Sequence, residues 1–274
     1  MNKSLKNGLK VGFIGCGKMA SAIIKGVISS KFLPKENIIA TKSNVSTISE
    51  KEKELGIKIS NDNILLAKSV DVIFLATKPN IVRDILEEIK PVLTEDKLIV
   101  SIAAGVSTST IEDIVGKLSV IRVMPNAGAM ILEGMSGIAK GAYATDSDVD
   151  FVNEFLENIG KCVVVEENLI DVVTAISGSG PAFFYMMINE MAKAGEKLGM
   201  DFDKALLLAS QTAIGSAKIM LTSNLTPETL IDNISTKGGC TEVGVSYMRS
   251  QNAEAIFQET IIKTTEKANA LGKK

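Results

Sequence analysis

Through residue 165 the chain alternates between two hydrophobic periods, and this alternation limits the folds open to it more than any other feature. Short runs rich in β-branched residues recur at 11–14, 38–40, 72–75, 98–101, 120–123 and 162–165. Amphipathic stretches lie between them, at 18–30, 47–55, 81–89 and 109–115. Strand then helix, repeated, predicts an α/β fold with a doubly wound parallel sheet covered on both faces. The strand runs are apolar at nearly every position, as burial on both faces requires. Beyond about Glu167 the chain reads as helix almost throughout, with breaks near 178–181, 199–201, 223–227 and 237–239. Thr226-Pro227-Glu228 predicts a helix start, a capping residue followed by Pro at the first helical position. Residues 203–221 are apolar around most of the helix, the pattern of a helix buried on several sides. A small helical domain has few helices to bury it with, so a dimer through the C-terminal half is expected. The expected domains are residues 1–165 and 166–274.

Composition narrows the chemistry. The 274 residues include no histidine and no tryptophan. Histidine-based triads, dyads and general acids are therefore excluded. Cys16, Cys162 and Cys240 are too few for a four-ligand Cys/His zinc site, and no metal is expected. They are also odd in number and far apart, which fits a reducing compartment, the cytoplasm, better than a disulfide scaffold. The net charge of −2 comes without a basic run, which argues against a nucleic-acid partner. Lys3, Lys6 and Lys10 precede the apolar run at 11–14; that run is short and glycine-interrupted, and reads as a first strand rather than a targeting segment. No stretch is expected to provide the ~20 apolar residues of a membrane span.

The sharpest motif is Gly15-Cys-Gly17-Lys18-Met19-Ala20, a G-x-G-x-x-A turn between strand and helix. Gly15 permits the tight turn, Gly17 lets a pyrophosphate approach the backbone, and Ala20 lets the helix pack against the sheet. The helix N-terminus favours the anion. The second strand runs on through Thr41-Lys42-Ser43-Asn44. It lacks the acidic residue that binds the ribose 2′-hydroxyl of NAD. Hydroxyls and a cation there favour a 2′-phosphate, hence NADPH, with NADH as the alternative. Three further loops follow strands: Ala76-Thr77-Lys78-Pro79, Ser101-Ile-Ala-Ala104-Gly105 and Met124-Pro125-Asn126. Carboxyl ends of strands are where open α/β sheets bind ligands, so these loops read as a cofactor groove. Ser177-Gly-Ser-Gly-Pro181 interrupts a long helix, and Ser235-Thr236-Lys237-Gly238-Gly239-Cys-Thr241 opens a later one. Free amides at such a helix start can cradle a carboxylate. A plain helix boundary explains either local pattern equally well.

Taken in order, these motifs resemble pyrroline-5-carboxylate reductase. The carriers are Gly15-x-Gly17-x-Met19-Ala20, Ala76-Thr-Lys78-Pro79, Ser101-Ile-Ala-Ala-Gly105-Val, Met124-Pro125-Asn126, Ser177-Gly-Ser-Gly-Pro181-Ala and Asp232-Asn-Ile-Ser-Thr-Lys-Gly238-Gly239-Cys-Thr241. The resemblance spans about residues 10–270. It implies a Rossmann domain followed by a helical dimerisation domain, in dimers that often form a decamer. It also implies reduction of 1-pyrroline-5-carboxylate to L-proline with NAD(P)H, the last step of proline synthesis. By position, Gly15, Gly17, Lys18, Met19 and Ala20 would hold the pyrophosphate, and Lys42 and Ser43 the 2′-phosphate. Asn63 would lie by the adenosine, with Ala76, Lys78 and Pro79 along the cofactor channel and Ala104 and Asn126 in the same groove. Ser235, Thr236, Gly238, Gly239 and Thr241 would bind the substrate, Thr241 as the catalytic hydroxyl near the imine nitrogen. One departure stands out: the family usually has Pro where this chain has Lys237.

Two other readings of the residues stay open. A 3-hydroxyacid dehydrogenase of similar architecture would carry a lysine four residues before an asparagine on the first long helix of the second domain; here Tyr185 precedes Asn189. A nucleotide-sensing module would keep the fold without turnover.

Overall fold

A computed structural model describes residues 8–272; Lys3 and Lys6 lie outside the described residues. The chain forms two compact units, residues 8–179 with 264–272, and residues 180–263.

The first unit is built on an eight-stranded sheet of order β3-β2-β1-β4-β5-β6-β7-β8. Its centre is β1 (Val11–Ile14), β4 (Val72–Leu75) and β5 (Leu98–Ser101), buried at every position. The order switches direction at β1, which pairs in parallel with both β4 and β2 (Ile38–Thr41). One face packs against α1 (Lys18–Ser29) and α6 (Asp146–Leu156), where Phe13, Phe74 and Phe155 stack at centroid distances of 4.6 and 5.0 Å. Across the sheet, Ile14, Ile73, Leu75 and Ile99 meet α3 (Asn63–Ser69), α4 (Val82–Ile89) and α5 (Thr108–Val115). Helix α2 (Ile48–Leu55) leads into β3 (Lys58–Ser60) at the sheet's edge.

Two features depart from the alternating pattern. Strand β7 (Gly134–Lys140) lies where no strand is expected from the sequence and pairs antiparallel with β6 (Ser119–Met124). Strand β8 (Gly160–Val164) follows β7 in parallel, so it runs against β6. The sheet is thus mainly, not wholly, parallel. Gly137 makes room for Val173, whose Cγ1 would sit 2.6 Å from a Cβ at that position.

The chain then turns helical through α7 (Ile170–Val173). The second unit holds α8 (Gly180–Lys197), α9 (Phe202–Thr222), α10 (Pro227–Ile234), α11 (Cys240–Ser250) and the start of α12 (Ala253–Gly272). Gly199, at φ 95°, ends α8. Thr226 caps α10 by accepting from the Thr229 N–H at 3.2 Å, with Pro227 at the first helical position, as the sequence predicts. Large apolar side chains on these helices, including Phe184, Tyr185, Met186, Leu207 and Leu221, are exposed in the single chain. Contrary to the sequence reading, Glu167–Lys197 and Phe202–Thr222 are long and apolar enough to cross a bilayer by length and composition. Small and polar residues break up any continuous apolar run in these helices, yet their mean hydropathy remains 1.3 and 1.2.

The cysteines are free thiols. Burial pushes Cys162 up to about 12, with the Glu157 charge adding to it. Burial also raises Cys16, partly offset by a hydrogen bond from Ser21 and the charges of Lys51 and Lys42. A raised thiol stabilises the fold fully below its unfolded value of 9.0, and for Cys162 that contribution disappears as pH climbs toward 12. Because the thiolate is the nucleophile, brief N-ethylmaleimide treatment at mildly alkaline pH should label exposed Cys240 and spare Cys16 and Cys162 until the protein is denatured. Peptide mass spectrometry checks this; native labelling of Cys16 as fast as Cys240 would contradict it.

Candidate active site

The turn after β1 is shaped by two glycines with different duties. Gly15 takes φ 95°, where a side chain is strained. A Cβ there would sit 2.6 Å from the Ala76 carbonyl oxygen and 2.7 Å from Thr77 Cγ2. The same residue donates its N–H to the Thr41 carbonyl at 3.2 Å. Gly15 therefore joins the β1–α1 turn to the loops after β4 and β2. Gly17 is the N-cap of α1 and provides no side-chain cap. Nothing lies within 4 Å of where its Cβ would be. The first turn of α1 thus opens onto free space with its amides uncapped, a ready anion site. Ala20 is buried, Met19 packs against the core, and Lys18 is exposed.

These features fit a dinucleotide. The Thr77 hydroxyl oxygen, beside Gly15, is buried with no hydrogen-bond partner among the described residues. The sequence marks Thr77 only as a member of the Ala76–Pro79 loop; its buried, unpartnered hydroxyl is a property of the folded chain. At the end of β2, Thr41 is buried, Lys42 half-buried and Ser43 exposed. Asn63, the first residue of α3, accepts a hydrogen bond from the Thr41 hydroxyl at 2.7 Å. Ala76 extends β4 with its N–H on the Ile14 carbonyl at 2.9 Å, and Lys78 precedes the 3₁₀ turn begun by Pro79. After β5, Ala104 is exposed and Gly105 takes φ 74°, with Gly272 at the end of α12 close by.

Asn126 is more constrained than its motif suggests. Its side-chain oxygen accepts from the N–H groups of Gly128 (3.1 Å) and Met135 (3.0 Å), and its nitrogen donates to the Ser177 carbonyl at 3.2 Å. Ser177 returns a bond from its hydroxyl to the Met135 carbonyl at 3.2 Å. The helix interruption is a π turn, Thr174–Gly178, closed by the Ser179 N–H on the Thr174 carbonyl. A π turn leaves carbonyls off the α ladder, and Asn126 satisfies one. The structure so joins two motifs that sequence reading kept apart.

The glycine loop before α11 lies in the second unit. Gly238 takes φ 76° and donates its N–H to Glu242 Oε2 at 2.6 Å. Gly239 donates to the Thr236 carbonyl at 2.8 Å and is the N-cap of α11 without a side-chain cap. Both glycine amides are engaged inside the loop, so the anion-binding capacity rests on the first turn of α11, where Thr241 is the second residue. Thr241 is half-buried, as is Ser235; Thr236 and Lys237 are exposed.

Comparison with known proteins decides the family. Residues 167–271 match the family model for pyrroline-5-carboxylate reductase dimerisation, and residues 10–105 match a model described as NADP oxidoreductase, coenzyme F420-dependent. A pyrroline-5-carboxylate reductase of Methanosarcina acetivorans is 39% identical over 97% of this chain and 98% of its own. The chain belongs to the pyrroline-5-carboxylate reductase family. The solved reductase of Coxiella burnetii covers 98% of the chain and 100% of its own, at 28% identity and a TM-score of 0.92. A Plasmodium falciparum pyrroline carboxylate reductase, solved with NADP bound, covers 97% and 99% at 30% identity, with a TM-score of 0.85.

Proposed function

We propose that this chain reduces 1-pyrroline-5-carboxylate to L-proline. The observation that carries the reading is the 39% identical match over 97% of the chain, which takes in both the α1 cradle and the glycine loop before α11. NADPH, preferred over NADH, supplies the hydride. Gly15, Gly17, Lys18, Met19 and Ala20 hold the pyrophosphate on the uncapped start of α1, and Lys42 and Ser43 receive the 2′-phosphate. Asn63 serves the adenosine. Ala76, Lys78, Pro79 and Ala104 line the groove, and Asn126 shapes it by holding the π turn.

The substrate's carboxylate is bound on the first turn of α11 at Thr241, and Ser235, Thr236, Gly238 and Gly239 form the loop that encloses the substrate there. The Thr241 hydroxyl faces the ring nitrogen, accepting from the N–H of the protonated imine and donating to the lone pair that forms on nitrogen as hydride adds to carbon. An imine that enters protonated becomes a neutral amine on gaining hydride, so the residues have to orient it rather than supply a strong acid. That suits a chain without histidine and makes proximity the main source of rate. Residues 166–274 are the substrate-binding and dimerisation domain. A second copy, rather than a membrane, covers the exposed apolar faces of α8 and α9, and dimers are the unit of any decamer. The free thiols suit the cytoplasm. The test is NADPH consumption by the folded protein with 1-pyrroline-5-carboxylate; absence of turnover overturns the proposal.

A further inference from the structure

Helix α4 carries Glu87 and Glu88 on its solvent side, and the two differ in what they touch. Glu87 faces Arg83 one turn away. Glu88 accepts a hydrogen bond through Oε2 from Asn63 Nδ2 at 2.9 Å, across to the start of α3. Asn63 Oδ1 in turn accepts from the hydroxyl of Thr41 at 2.7 Å. Thr41 is buried at the carboxyl end of β2, one residue before Lys42. These three side chains form a line from the body of the sheet to α4.

The proton directions in that line are dictated by chemistry. A carboxylate can only accept, so the Asn63 nitrogen must face Glu88. The Asn63 oxygen must then face Thr41, and the Thr41 hydroxyl must donate. Without the Glu88 charge the amide could turn over, because the Thr41 hydroxyl can accept as readily as it donates. The helix does not need Asn63 for its start: Asp62 caps α3 by accepting from the Leu65 N–H at 2.8 Å. After both bonds, Asn63 keeps one N–H and one lone pair free of them, at the edge where the adenosine half is placed.

We propose that Glu88 is a positioning residue for dinucleotide binding, acting by holding the Asn63 amide in one orientation. This rests on the dinucleotide reading above and extends it to a residue that never touches the ligand. It acts on the adenosine side common to both coenzymes, so NADPH and NADH are affected alike.

The test is a double-mutant cycle on the full chain, with calorimetric binding of NADP+ and steady-state kinetics with NADPH and NADH. Glu88→Ala should weaken NADP+ binding and raise KM for both coenzymes by about five- to tenfold, the scale of one hydrogen bond. KM for 1-pyrroline-5-carboxylate and the melting temperature should stay unchanged. Glu88→Gln keeps an acceptor and should fall between wild type and Glu88→Ala. Asn63→Ala should weaken binding at least as much, and adding Glu88→Ala to it should cost nothing more. Multiplying effects in the double variant, an unaffected coenzyme KM in Glu88→Ala, or tighter NADPH with unchanged NADH would each overturn the proposal. If wild-type protein binds no NADP+, the dinucleotide reading falls and the inference with it. Binding by wild type with no response to Glu88→Ala defeats the inference alone.

Discussion

Replacing Arg122 by alanine is expected to destabilise the protein by about 3 kcal/mol, the low end for breaking a buried ion pair. Arg122 sits in β6 with a side chain only 6% exposed. Its two terminal nitrogens reach Glu167 Oε1 at 3.0 Å and Asp171 Oδ1 at 3.2 Å. Removing the guanidinium leaves two carboxylates facing each other in a partly dry site, with no cation between them. The low end of the range applies because Glu167 and Asp171 keep 29% and 19% of their side-chain surface. The damage spreads, since Glu167 Oε1 also accepts from the Thr108 N–H at 3.2 Å and so fastens the start of α5. Denaturation at fixed protein concentration, followed by circular dichroism, measures the loss. At roughly 2–4 °C per kcal/mol for a chain of this size, the melting point should drop by about 6–12 °C. Replacing the triad together, Arg122→Met with Glu167→Gln and Asp171→Asn, should recover much of it, because no charge is then stranded. A single-variant loss below about 1 kcal/mol would contradict the argument.

Thr241→Val should lower kcat/KM for 1-pyrroline-5-carboxylate by about 10²-fold, the effect of losing one hydrogen-bond donor at a reacting centre. Valine keeps the shape and deletes only the hydroxyl. The α11 start does not depend on that hydroxyl, since its N-cap is Gly239 and no side chain caps it. Melting temperature and NADP+ affinity should therefore remain near wild type, which separates a catalytic loss from a folding one. Thr241→Ser, which restores the donor, should lie within a few-fold of wild type. A Thr241→Val enzyme within threefold of wild type would remove Thr241 from the mechanism.

Legibility in the sequence followed the locality of the physics. Strands β1, β4 and β5 are readable because burial on both faces leaves their runs apolar at every position but Ser101. Strand β3 is three residues long and carries too short a pattern. Strand β7 is diluted by Gly134, Ser136 and Gly137, and Gly137 answers to Val173, a contact made only in the folded chain. Its antiparallel direction has no local signature at all. The geometry of the β1–α1 turn is legible at Gly15, Gly17 and Ala20, where a positive φ, open space and a buried small residue match the motif. The buried hydroxyl of Thr77 and the partner of Glu88 are not legible, because a loop Thr and a helix-surface Glu look the same in sequence whatever they meet.

What the sequence determined by itself was the sheet-and-helix alternation, the glycine cradle at the start of α1 and the glycine-rich opening of α11. Each follows from constraints within a few residues: a positive φ, a missing Cβ, an uncapped amide. Only the tertiary structure decided that Asn126 holds the Ser177 carbonyl, that Arg122 is clamped by Glu167 and Asp171, and that Glu88 accepts from Asn63. Those pairings join residues 25 to 51 positions apart. Their energies exist only once packing brings the partners within hydrogen-bond distance.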